Sequence, residues 1–153
     1  MGIIKNEKTA SGADVYDGLN NAHMAFAGFA GFDVRGHDVV LRGAHGKMRD
    51  HIIPLDKAVD KYYDVCRMCD GLIRSGVQGW DELCDILHDF RAKIMEASDL
   101  RKHDNIPVSQ KVLDFVERGR TSNAPTPMAQ VVADLAWKNE QDRLAALNAS
   151  LQK

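Results

Sequence analysis

Lysine and arginine never run more than two together in this sequence, and the formal net charge is −2. Nucleic-acid binding leaves a basic patch or stripe as its footprint, so direct contact with DNA or RNA is not expected. Long apolar runs are missing as well. The longest nearly continuous one, Ala22 to Phe32, is too short to cross a bilayer and too weakly flanked by positive charge for a leader. No membrane association is expected. Three cysteines cannot close a disulfide framework, which points to a reducing compartment, cytosol or nucleus. The sequence also lacks a G-x-S-x-G elbow, a Walker A loop, an H-E-x-x-H helix and a dinucleotide fingerprint. The six histidines are scattered; His37, Asp38 and His45 in a glycine-rich stretch read as a solvated loop rather than a catalytic site. The expectation is a protein that is not an enzyme and carries no cofactor.

What is present is enough for a core: 44% of 153 residues are hydrophobic. Residues 1–46 hold eight of the twelve glycines and read as a glycine-rich N-terminal extension, partly helical. The helical piece is Ala13 to Phe32, where Val15, Leu19, Ala22, Phe26 and Phe29 recur at three- and four-residue steps. It reads either as a marginal helix on the domain or as an arm that orders on a partner. Phe32 to Leu41 fits a small hairpin around Arg35-Gly36-His37-Asp38, and equally a loop.

Residues 47–153 read as a second, helical unit. Leu55, Val59, Tyr62, Cys66, Cys69 and Ile73 form one helix stripe, with Asp50 as N-cap, Pro54 in the first turn and an end near Ser75-Gly76. Trp80, Leu83, Leu87, Phe90, Ile94 and Ala97 form a second stripe. The short connection Ser75–Gly79 predicts an antiparallel hairpin. A polar linker is expected over Asp99–Asn105. Then comes a short amphipathic helix carrying Val112, Leu113, Phe115 and Val116 and ended by Gly119. Thr126-Pro127 is a strong start for a long last helix. That helix bears two offset apolar faces: Met128, Val131 and Leu135, then Trp137, Leu144, Leu147 and Leu151. The second face reads as a frayed polar end or as a surface for a partner. The expected fold is all-α: a helical hairpin, a short connecting helix and a long C-terminal helix.

Cys66-x2-Cys69 followed by Cys84-x3-His88 has the spacing of a four-ligand zinc site. Cys66 and Cys69 also occupy the apolar stripe, where buried cysteine acts as a small hydrophobe, and that reading is preferred. The alternative function, a zinc-stabilised binding module of another nuclear or cytosolic assembly, rests on these four residues.

The run V-L-D-F-V-E-R-G-R, Val112 to Arg120, preceded by Ile106-Pro107 and followed on the last helix by Trp137-Lys138-Asn139-Glu140-Gln141, resembles Mediator subunit 10. The resemblance covers roughly residues 47–150, and its specific part is about fifteen to twenty residues. The prolines that this family places soon after its Gly-Arg stand later here, at Pro125 and Pro127. The resemblance implies a non-catalytic, nuclear subunit of the Mediator middle module, a coactivator of RNA polymerase II transcription. Its implied partners are other Mediator subunits, especially the scaffold subunit 14, with the polymerase reached indirectly. Its implied contact residues are Val112, Leu113, Phe115, Val116, Gly119, Arg120, Trp137, Leu144, Leu147 and Leu151.

Overall fold

The computed structural model describes residues 22, 24–26, 29–44, 49–68, 80–121 and 124–152. Side chains are described for all of these except 80, 81, 120 and 121. Among the described residues the elements run β1 (Phe29–Arg35), β2 (Asp38–Gly43), β3 (His51–Ile53), α1 (Leu55–Met68), α2 (Trp80–His103), α3 (Gln110–Thr121) and α4 (Pro127–Leu151). The strands form one antiparallel sheet in the order β1-β2-β3. The expectation of an all-α fold is therefore overturned: the protein is mixed, a small sheet packed with helices. The sheet draws strands from both sides of residues 46/47.

The helical periodicity of Ala13–Phe32 fails at its end, because Phe29 to Phe32 belong to β1. Residues 13–21, 23, 27 and 28 of that span lie outside the described set. Phe26 and Phe29, three residues apart, keep a helical spacing, but the pairing of β1 with β2 takes Phe29 into the sheet. Arg35 pairs with Asp38 across the two-residue turn Gly36-His37. Gly36 has φ +64°, the positive φ that a type II′ turn needs at its first central position. Val39, Val40 and Leu41 of the middle strand are buried. Phe32 then stacks on Phe90 of α2 at 5.0 Å between ring centroids, and Phe26 meets both rings edge-on. These aromatic contacts attach the sheet to the helices.

Helix α1 starts later than its sequence suggests, because His51–Ile53 pairs with β2. Pro54 lies just outside the helix, and its carbonyl accepts the first helical bond from Ala58 at 2.9 Å. Asp50 is not the cap. It accepts from the Gly43 amide and the Arg35 guanidinium, and the Arg35 bond holds its pKa below the usual carboxylate value. Asp38 of the hairpin instead accepts from the Leu55 amide. The same oxygen takes a bond from Arg101 in the last turn of α2. The start of α1 and the end of α2 thus lie together, as an antiparallel pair requires. The turn expected over Ser75–Gly79, with Ile73, lies outside the described residues.

Helix α2 runs through the expected linker to His103. Asn105, at φ 58°, turns the chain. The Ile106 amide bonds the Arg101 carbonyl at 2.8 Å and the Asn105 amide bonds the Lys102 carbonyl at 3.2 Å, a Schellman closure made with asparagine in place of glycine. The end of α3 is also different from its expected place. Gly119 sits inside the helix, which continues to Thr121. The first turn of α4 follows its sequence signals: Thr126 is extended and its Oγ1 accepts from the Ala129 amide at 3.1 Å, with Pro127 behind it.

Candidate interaction surface

The face that α4 offers to solvent is set by how its first half is buried. Val131 and Leu135 enter the core one helical turn apart, and Asp134 enters beside them. A carboxylate there needs partners, since a bare buried charge is strongly unfavourable. It has three. Arg91 Nε of α2 donates to Asp134 Oδ2 at 2.7 Å, the Tyr62 hydroxyl of α1 donates to the same oxygen at 2.6 Å, and Gln130 donates to Oδ1 at 2.8 Å. One carboxylate therefore ties three helices together. Burial, first, and the neighbouring thiol and carboxylate push the Tyr62 hydroxyl well above its usual pKa. Burial raises Tyr63 as well.

Helix α3 closes on this cluster from the side. Phe115 meets the Tyr62 and Tyr63 rings edge-on, and the Arg91 guanidinium lies 5.7 Å from the Phe115 ring centroid. Gly119 allows the approach. A β-carbon there would stand 2.7 Å from Arg91 Nη2 and 2.9 Å from Met95 Sδ. The glycine makes room for a buried guanidinium and does not end the helix.

Beyond the cluster α4 leaves the body. Trp137 packs partly buried on the core, and Lys138 lies over the Tyr63 ring at 5.5 Å. Asp142 pairs with Lys138 at 3.2 Å and with Arg67 in the last turn of α1. Every residue from Asn139 to Leu151 is exposed. Leu144, Leu147 and Leu151 fall on one side of this projecting half and meet solvent.

A second apolar feature lies between the ends of α2 and α3. Ile106, Val108, Leu113 and Val116 line an open groove of about 430 Å³, rimmed by Asp99, Lys102 and Glu117. It has the size for a partner's apolar side chain.

The sequence-derived contact residues thus divide. Val112, Phe115 and Val116 point into the chain's own core. Gly119 packs under Arg91 and Met95. Leu113 is exposed at the groove, and Leu144, Leu147 and Leu151 are exposed on α4. The Arg120 side chain lies outside the described residues. Of the zinc spacing, Cys66 and Cys84 are buried in the core, His88 is exposed, and Cys69 lies outside the described residues. Among the described residues no group of three or more His, Cys, Asp or Glu side chains is placed to hold a metal ion. His37 at the hairpin turn pairs with Asp104 at 2.6 Å, and Asp104 also takes His103 at 3.0 Å. His45 lies outside the described residues. Among these no helix is long and apolar enough to cross a membrane.

The sequence reading did not single out the Asp134 cluster. A signal was available: Arg91 stands four residues after Leu87 on the buried stripe of α2, and Asp134 adjoins Leu135 and follows Val131 by three. Opposite charges in apolar register on two helices mark a buried pair. Comparison with family models, with curated proteins and with solved structures found no match to this chain.

Proposed function

We propose that the chain is a non-catalytic assembly subunit whose α4 docks on other proteins, and that its assembly is the middle module of a nuclear Mediator-type coactivator. The observation that carries the docking role is the row Leu144, Leu147 and Leu151, exposed on a helix that continues past its last described ion pair to the body at Asp142. Exposed leucines in helical register on a projecting helix are what helix-in-groove recognition uses. The choice of assembly rests on the resemblance of Val112–Arg120 and Trp137–Gln141, and on the order of α1 to α4. Strands β1 and β2 precede the region of resemblance. In this reading Leu113 and the groove beside it supply a second contact, and the scaffold subunit 14 is the foremost partner. The chain would act by holding subunits in register, without contacting DNA.

Affinity purification of the tagged full-length protein from its native source tests this. Co-purification of Mediator middle-module subunits and RNA polymerase II is expected, with loss of both in a Leu144→Glu, Leu147→Glu variant. Recovery of the soluble protein without any Mediator subunit would sink the Mediator assignment.

A further inference from the structure

Lys57 and Lys61 stand one helical turn apart on the same side of α1, where like charges repel. Lys93, Lys111 and Lys138 each have a carboxylate within 4.0 Å, whereas Lys57 and Lys61 have none among the described residues. Both line an open cavity of about 470 Å³ between α1 and β3, together with His51, Asp60 and Asp64. The acids do not cancel the two lysines. Asp60 already takes Lys111 of α3 at 2.8 Å, which leaves the exposed Asp64 to set against both.

The two amines differ in their surroundings. Lys57 is exposed, and Lys61 is half-buried. The Lys61 nitrogen lies 5.3 Å from the centroid of the Phe26 ring, and Phe32 and Phe90 hold that ring edge-on. An amine placed there loses water on one side without gaining an anion. Burial lowers its pKa, against a smaller opposing effect of Asp64. A lysine that is desolvated beside another cation is in the state that makes lysine a nucleophile. An exposed ammonium one turn away is suited to hold a phosphate as a point charge.

We propose that Lys61 is an acylation site for small acyl phosphates, with Lys57 holding the phosphate while the Lys61 amine attacks the carbonyl carbon. The C–N bond forms and the bond from the carbonyl carbon to the phosphate oxygen breaks. Inorganic phosphate leaves with that electron pair and takes the proton that the amine loses. The product is an amide, and nothing is oxidised or reduced. Acylation removes the charge of Lys61 and with it the attraction to the Phe26 ring. The proposal is independent of the docking role of α4.

The test incubates the purified full-length protein with acetyl phosphate and follows acetylation of each lysine by peptide mass spectrometry. Lys61 is expected to react at least about fivefold faster than the ion-paired Lys111 and Lys138, and inorganic phosphate is expected to slow it. Lys57→Gln and Lys57→Arg change an exposed side chain, so unchanged circular dichroism is required of both. Losing the charge at position 57 also raises the basicity of Lys61, which slows every acyl donor alike. Phenyl acetate, a donor without phosphate, measures that general effect. In Lys57→Gln the rate at Lys61 with acetyl phosphate should fall about fivefold further than the rate with phenyl acetate, and Lys57→Arg should restore it. Acetylation of Lys61 no faster than that of Lys111 and Lys138 would overturn the proposal. An equal fall with both donors would overturn it too, since Lys57 would then hold no phosphate.

Discussion

Arg91 and Asp134 form an ion pair of 2.7 Å with side chains 8% and 2% exposed, and it joins the middle of α2 to the first half of α4. Removing one partner strands the other charge in the core. Asp134→Ala is expected to cost about 3–5 kcal/mol of stability, as single deletions from buried pairs do. Replacing both, as Arg91→Met with Asp134→Leu, removes the stranded charge and should recover much of that loss. Urea denaturation of the wild type, Arg91→Met, Asp134→Leu and the double variant measures the coupling. Additive losses in the double variant would show that the pair does not act as a unit.

Adjacent tyrosines on α1 should respond in opposite ways. The Tyr62 hydroxyl donates to Asp134, whereas the Tyr63 hydroxyl is buried without a hydrogen-bond partner among the described residues. Tyr62→Phe breaks a bond to a charged acceptor and should cost about 1.5–3 kcal/mol. Tyr63→Phe relieves a buried unsatisfied group and should be neutral or stabilising by up to about 1 kcal/mol. Equal losses in the two variants would contradict this geometry.

The same hydroxyls set an alkaline limit. Burial raises both above the ordinary tyrosine pKa of about 10, so the folded state holds their protons more tightly than the unfolded state. Their contribution is complete below pH 10 and is lost as pH climbs from there towards the raised folded values. Stability followed by thermal melting should fall above about pH 10, and less steeply in Tyr62→Phe. An unchanged slope in that variant would remove Tyr62 as a source.

How much of this was legible in the sequence depended on whether the cause was local. The Thr126-Pro127 start of α4 is a local capping signal, and it appears where its residues place it. The stripes of α1 and α2 come from helical periodicity, and Leu55, Val59, Tyr62 and Cys66, then Leu83, Leu87, Phe90, Ile94 and Ala97, are all buried. The hairpin at Arg35–Asp38, one of two readings open for its residues, is there as well. Elements fixed by distant contacts are not legible: the sheet is held in place by Phe32 against Phe90, and the start of α1 by Asp38, seventeen residues before Leu55. Gly119 carries the same lesson, because the sequence shows a glycine and not the guanidinium above it. At the candidate surface, the exposed leucines of α4 followed from their offset against Val131 and Leu135. Val112, Phe115 and Val116 did not, since an amphipathic stripe looks alike whether its partner is another chain or the protein itself.

The Thr126 cap can be checked separately from the core. Its hydroxyl serves the Ala129 amide at an exposed position. Thr126→Ala should cost about 1 kcal/mol, and Thr126→Asn should restore most of it, because asparagine caps equally well. Denaturant melts of the three proteins decide this. A loss in Thr126→Ala that asparagine fails to restore would place the effect elsewhere than the cap.

Gly119→Ala sets two effects of opposite sign against each other. In an open helix the change should stabilise by about 0.8–1 kcal/mol, because alanine is the better helix former. Here the new methyl would meet Arg91 Nη2 at 2.7 Å and Met95 Sδ at 2.9 Å. The methionine end is flexible and can turn aside. The guanidinium cannot move as easily, since its Nε is bonded to Asp134 and its face lies against Phe115. Overpacking of this kind costs roughly 1–3 kcal/mol, so the net change is expected to be destabilising. In the Arg91→Met, Asp134→Leu background the guanidinium is gone, and the same substitution should cost less or become stabilising. Equilibrium unfolding of Gly119→Ala in both backgrounds separates the causes. An equal cost in the two would mean that the methyl is resisted by something other than Arg91.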